Sequence, residues 1–390
     1  MSDSKPENKN GKNLVKRGKQ DASNINKQDH LYHLSKNAEI QSDNNRLQKQ
    51  LPLFTIENSD NSPKGGYELS NAIDIWDVIP KYSADDSIAV QVGELKNPVI
   101  TNETSIYGQV YKTSIVPAQL LKSETQSGEI EWRFPTRREM YVEEALMKIA
   151  VSGSVNADTK FAGVKFTLYE LLEELKRTKH TLSFRQLKES LMICHRTRIE
   201  VATEDGRNIV SATIFPMIGL TSKEDYFSNL NADATCYVQF NPLVTVSIQT
   251  LTFRQYNYTK SMSLTRALSN ILYKRLVLHW TQASPNHPYT FLMSNLLENS
   301  SRQAVKNSQT DRRLMYSTIN QLKEQKILKK DHNEIIIREG RKIVDIKFSV
   351  YPHAEFVDEV IQANIAQKEK REMLNKELCI EQMRKLAKPR

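Results

Sequence analysis

The sequence predicts an α+β fold: two tandem copies of one helix-turn-helix unit, each closed by a β-hairpin, behind a polar N-terminal tail. Three observations lead there. Segments with helical apolar spacing alternate with short strand-like runs from about Ile130 onward. The order of those segments repeats, once over about 130–250 and again over about 255–355, although the two halves do not match residue by residue. The first 49 residues hold many Asn, Gln, Lys and Asp and few large apolar side chains, too little apolar surface to offset chain entropy.

In the first unit, Glu131–Pro135 reads as the end of a strand. Thr136 caps a helix to about Val151, with Met140, Leu146, Met147 and Ala150 on its apolar face. Gly163–Thr167 is a short strand. Thr167-Leu168-Tyr169-Glu170 is a capping box opening a helix to about Arg177. Lys179-His180-Thr181 turns the chain, and Ser183 starts a second helix to about Arg196, with Leu187, Leu191 and Cys194 inward. Strand-like runs follow at Arg198–Thr203, Ile209–Ile218 and Cys236–Ile248, the first two joined through Asp205-Gly206 as a hairpin. This order is that of a winged helix-turn-helix.

The second unit opens on a helix from about Ser263 to Thr281, ended by Pro285 and Pro288. Tyr289–Phe291 is a strand, Met293–Asn299 a short helix, and Ser300–Asn307 a turn region. Gln309–Gln325 is a helix with Met315, Thr318, Ile319 and Leu322 inward. Ile327–Lys329 and Glu334–Arg338 lead to a turn at Gly340, and Ile343–Val350 returns. The expected division is a disordered tail over 1–66, a linker with partly ordered strands over 67–129, winged-helix domains over 130–254 and 255–356, and a charged, helix-like tail over 357–390.

Composition narrows the function. The chain has 390 residues and a net charge of +9, which points to a polyanionic partner. The longest apolar stretch, Ile271–Val277, is broken by Lys274 and Arg275, so no membrane span is expected. Cys194, Cys236 and Cys379 lie far apart, which fits a reducing bacterial cytoplasm. There is no G-x-x-x-x-G-K-[ST] loop, no H-E-x-x-H and no His-x-His pair, and His30-x-x-His33 has no neighbouring ligand cluster. No enzyme, cofactor or metal site is therefore expected.

The charge is clustered. Lys176, Arg177, Lys179, Arg185, Lys188, Arg196 and Arg198 face one acid, Glu189, a local surplus of six. The stretch from Arg302 to Lys342 carries the same surplus. Each cluster covers the second helix of a helix-turn-helix, where phosphates flank the major groove. In the second unit Arg312, Arg313, Tyr316, Asn320 and Lys323 are expected opposite Met315 and Leu322. Arg can pair bidentately with guanine and Asn with adenine. Lys306 and Asn307 suit phosphate or base contact, and Arg338, Arg341 and Lys342 stand at the wing tip. In the first unit the outer face is Arg185, Lys188, Met192, His195 and Arg196, where DNA contact competes with a protein interface. The bland alternative throughout is a solvated charged helix.

Gln50-Leu51-Pro52-Leu53-Phe54 is an apolar island in the polar tail. Gln50, Leu51, Leu53 and Phe54 resemble the pentapeptide by which bacterial replication factors dock on the sliding clamp. The alternative is a hydrophobic staple for the globular part.

Taken with Phe166–Leu175 (FTLYELLEEL) and Tyr258–Leu268 (YTKSMSLTRAL), the chain resembles the iteron-binding plasmid replication initiators with two winged helices, most closely the TrfA type. The resemblance covers roughly 130–355. It implies binding to direct repeats in double-stranded origin DNA, the second unit making the main base contacts, and inactive or repressing dimers formed through the first. It also implies opening of an AT-rich segment and recruitment of host initiator, replicative helicase and sliding clamp. A tandem winged-helix transcriptional repressor would share every DNA-binding feature without needing the clamp peptide.

Overall fold

The computed structural model describes residues 54–55, 68–83, 90–92, 99–106, 109–121, 130–156, 161–207, 209–220, 235–300 and 309–386. The chain begins with β1 (Leu69–Ile73), β2 (Val90–Val92), β3 (Ile100–Ile106), β4 (Gln109–Val116), β5 (Ala118–Leu121) and β6 (Ile130–Arg133). Next comes α1 (Arg137–Ile149), whose Thr136 cap accepts from the Arg138 amide while Glu139 reaches back to the cap amide. A kinked turn through Gly153 leads to β7 (Val155–Asn156) and β8 (Gly163–Phe166). Then α2 (Leu168–Arg177) and α3 (Phe184–Arg196) follow, α2 opened by the capping box expected of Thr167 and α3 by a capping box between Ser183 and Gln186.

The hairpin of the first unit is β9 (Arg198–Thr203) and β10 (Ile209–Thr213), paired antiparallel with Val201 opposite Val210. Gly206 takes φ +67° in its turn, a conformation open to glycine. Three further elements are β11 (Met217–Gly219), β12 (Cys236–Gln239) and α4 (Pro242–Thr250). The single strand expected over Cys236–Ile248 is thus a strand and a helix. Asn241 accepts from the Leu243 amide at 3.0 Å and Pro242 occupies the first helical position, which starts a helix whatever the β-branched content beyond it.

β13 (Phe253–Asn257) precedes α5 (Tyr258–Ser263) and α6 (Ala267–His279). The long helix expected from about Ser263 therefore starts four residues later, at Ala267, and Ser263 instead closes α5. Leu264 is extended, and its carbonyl and that of Thr265 accept from Tyr141 and Arg137 of the first unit instead of from the next helical turn. The second unit then runs through β14 (Tyr289–Leu292), α7 (Met293–Glu298), α8 (Gln309–Glu324), β15 (Leu328–Glu339), β16 (Lys342–Pro352) and α9 (Ala354–Leu386). All four side chains expected inward on α8 are buried.

The segment 67–129 is expected as a linker with partly ordered strands; among its described residues, β1 and β4 pair with strands far along the chain. β1 pairs with β13 across 180 positions at Ile73, which lies opposite Phe253. β4 pairs with β9, so the strand order is β10-β9-β4-β3 and the first hairpin lies within a sheet rather than projecting alone. Trp76, Val78, Ile79 and Tyr82 are buried. The second unit's sheet has the order β14-β16-β15, and beyond the short β14 its hairpin continues as a two-stranded ribbon. One continuous cluster of buried side chains runs through both units and includes Phe356 and Val360 of α9.

Candidate nucleic-acid interface

In the second unit, Arg312, Tyr316, Asn320 and Lys323 recur at three- and four-residue spacing and form one stripe along α8. Arg313 and Asn320 are exposed and Arg312 is half-exposed. Tyr316 and Lys323 are tied to the hairpin. The Tyr316 hydroxyl donates to Glu334 at 2.8 Å, Lys323 Nζ lies 2.9 Å from His332 Nδ1, and His332 Nε2 lies 2.7 Å from Glu334. Burial and the Glu334 carboxylate raise the Tyr316 phenol above its ordinary value. Burial lowers the Lys323 amine, against the pull of Asp331 and Glu334. These contacts tie the helix to β15, so the stripe and the hairpin adjoin.

The hairpin tip carries Arg338, Arg341 and Lys342, all exposed. Gly340 has φ +61° in the tight turn, and a register shift between Ile337 and Arg338 twists the ribbon there. Ile335, Ile336, Ile337 and Val344 are exposed along the same ribbon. Lys306 and Asn307 lie outside the described residues.

The first unit offers less. Arg185 is exposed, and Lys188 Nζ sits 5.1 Å from the centre of the Phe184 ring. His195 Nδ1 lies 2.8 Å from the Phe215 carbonyl, and Arg196 donates to the Gln119 carbonyl at 2.7 Å. Both residues are expected on an outward face; Arg196 is exposed there beside β5, and His195 is half-buried. Met192 is half-buried rather than exposed.

Phe54 departs from the expectation of an exposed docking peptide. It is 0 % exposed and meets Phe253 edge-to-face, with ring centres 5.0 Å apart. Asn71 Nδ2 donates to its carbonyl at 2.6 Å. The apolar partners are β13 and β1, so Phe54 is a core residue, as in the staple alternative. Gln50, Leu51 and Leu53 lie outside the described residues.

Sequence reasoning also missed a buried ionic network between the units. Glu143 accepts from Trp76 Nε1 at 2.6 Å, from Lys81 at 3.0 Å and from the Tyr82 hydroxyl. Lys274 lies 3.1 Å from Asp77 and 3.3 Å from Glu144, which also accepts from Ser261 at 2.8 Å. Burial works to raise the Asp77 carboxyl, but Lys274 and Lys81 overcome it and hold it below its ordinary value. Burial works to lower the Lys274 amine, and Asp77 and Glu144 drive it well above instead. The signal was present: Lys274 interrupts the apolar run Ile271–Val277, and a charge on a fully buried helix demands a partner.

Among the described residues, no group of three or more His, Cys, Asp or Glu could hold a metal ion, and no helix is long and apolar enough to cross a membrane.

No family model matches the sequence, and no curated protein matches it. Similar solved structures exist. A crystal structure of domains 2 and 3 of RctB is 12% identical, covering 70% of this chain and 99% of that one, with a TM-score of 0.40. A second RctB structure of domains 2–3 is 12% identical over 70% of this chain and 98% of that one, with a TM-score of 0.38. The Pi initiator protein, crystallised in complex with iteron DNA, is 16% identical over 56% of this chain and 91% of that one, with a TM-score of 0.41.

Proposed function

We propose that the chain is a sequence-specific duplex-DNA-binding protein that initiates replication at a plasmid origin. The observation that carries the DNA-binding part is the α8 stripe, Arg312, Arg313, Tyr316, Asn320 and Lys323, held beside a projecting hairpin tipped by Arg338, Arg341 and Lys342. In this reading each unit is a winged helix. α8 lies in a major groove, where Arg and Asn read base edges, and the hairpin tip meets adjacent backbone or minor groove. The Phe54 side chain would have to leave the core before 50–54 could seat on a sliding clamp. Clamp recruitment, contacts with host initiator and helicase, opening of an AT-rich segment and dimers through the first unit belong to the same proposal and rest on the sequence resemblance.

One observation favours a second reading. Burial of Phe54 weakens the feature that set an initiator apart from a tandem winged-helix repressor. Footprinting on the DNA flanking the gene separates them. Protection of several direct repeats beside an AT-rich stretch supports the initiator; protection of a single palindrome supports the repressor; no protection anywhere defeats both.

A further inference from the structure

A cleft of about 360 Å³ opens beside the turn between α2 and α3, lined by Thr136, Arg137, Arg138, Tyr141, Leu175, Lys179, His180, Thr181 and Leu182. Four of these carry basic groups, and no carboxylate lines it. Arg138 is already engaged by Glu139 at 2.8 Å and Glu189 at 3.0 Å. The uncompensated charge is that of Arg137, which uses one guanidinium nitrogen on the Thr265 carbonyl, and of Lys179, which is exposed. The start of α1 does not itself supply the charge, because the Thr136–Glu139 capping box occupies its first donors. His180 stacks on Tyr141 with ring centres 3.6 Å apart, and its Nε2 lies 2.7 Å from the Met262 carbonyl, leaving Nδ1 as its remaining polar atom.

Two further observations favour a ligand. Lys179 has φ +67°, closing a Schellman turn in which its amide reaches the Lys176 carbonyl at 3.0 Å and the His180 amide reaches Leu175 at 2.7 Å. Glycine or asparagine ordinarily fills that position, and a lysine there accepts backbone strain. The second is location. Thr181 and Leu182 run directly into Ser183, the cap of α3. On the other side, Arg137 holds Thr265, and Thr265 accepts from Gln321 of α8. The cleft therefore lies between the two helices expected to read DNA, where a bound duplex would pass its backbone.

We propose that this cleft takes one backbone phosphate of the duplex, held by Arg137 and Lys179, and fixes the register of the two units on DNA. This rests on the DNA-binding reading above. The chemistry alone would also suit a free phosphate, so the test has two arms, both on the full chain. Lys179→Gly removes the charge and relieves the strained turn, so the variant should melt no lower than the parent.

In the first arm, duplex affinity is measured against salt. The slope of log K on log salt should become shallower, by up to about 0.9, the full loss of one phosphate. Ethylation of that phosphate should weaken the parent more than Lys179→Gly, in which Arg137 alone holds it. An unchanged slope in a parent that binds DNA overturns the cleft assignment and leaves the DNA-binding reading intact. A parent that binds no duplex defeats that reading and the proposal with it. In the second arm, inorganic phosphate is titrated calorimetrically without DNA. Saturable binding that Lys179→Gly abolishes, together with an unchanged salt slope, assigns the cleft to a free anion and overturns the proposal. Absence of such binding, with the shallower slope, supports it.

Discussion

Phe54→Ala separates the two roles that the N-terminal island can play. The side chain is fully buried, meets Phe253 edge-to-face and has its carbonyl held by Asn71. Truncating a buried Phe to Ala costs about 3–5 kcal/mol, of which the aromatic pair accounts for about 0.5–1.5. The lower figure, about 3 kcal/mol, is enough for a clear readout. With a urea m-value of about 3 kcal/mol/M for a body of this size, the midpoint should fall by about 1 M. The assay is urea unfolding followed by tryptophan fluorescence, since Trp76 belongs to the same buried cluster. Phe54→Leu, which keeps much of the apolar volume, should shift the midpoint less. A midpoint unchanged within 0.2 M, roughly 0.5 kcal/mol by the same m-value, in Phe54→Ala would refute the packing argument. It would restore the exposed-peptide reading of 50–54.

Three other outcomes follow from the structure. Lys274→Met strips Glu144 of its buried cation, leaves Asp77 with Lys81 alone, and should destabilise the chain by about 3–5 kcal/mol in urea unfolding. Adding Asp77→Asn and Glu144→Gln to it should recover much of that loss, and additive losses would count against a coupled network. The same network sets an acid limit. Because the folded Asp77 carboxyl lies below its ordinary value of 3.8, its contribution is complete above that pH and lost as pH falls through the folded value. Asp77→Asn should flatten that part of a stability–pH curve. Replacing Arg338, Arg341 and Lys342 together by Ala should weaken binding evenly across DNA sequences and reduce the salt slope by up to about 2.7, as for three phosphates.

Locally encoded features were legible in the sequence. The capping residues Thr136, Thr167 and Ser183 mark helix starts that the structure places one residue later, because capping is decided within four residues. The buried stripe of α8 and the turn at Gly340 follow from periodicity and from one glycine. What could not be read was long-range pairing. β1 and β4 look weak alone and gain their place from β13 and β9, far along the chain. That same layer decides side-chain fate: the β5 residue Gln119 accepts from Arg196, which stays exposed, and β13 receives Phe54, which looks open in the sequence alone. Lys274 was visible as an interruption, but its partners come from segments about 130 and 197 positions away.

The central claim is that α8 reads duplex DNA. Its most direct test is the affinity of Arg312→Ala/Arg313→Ala for the protected repeat and for a scrambled duplex at fixed salt. The expected result is loss of discrimination by about 1–3 kcal/mol for each base contact removed, with weak residual binding to both duplexes. Equal affinity of variant and parent for the repeat would contradict the claim.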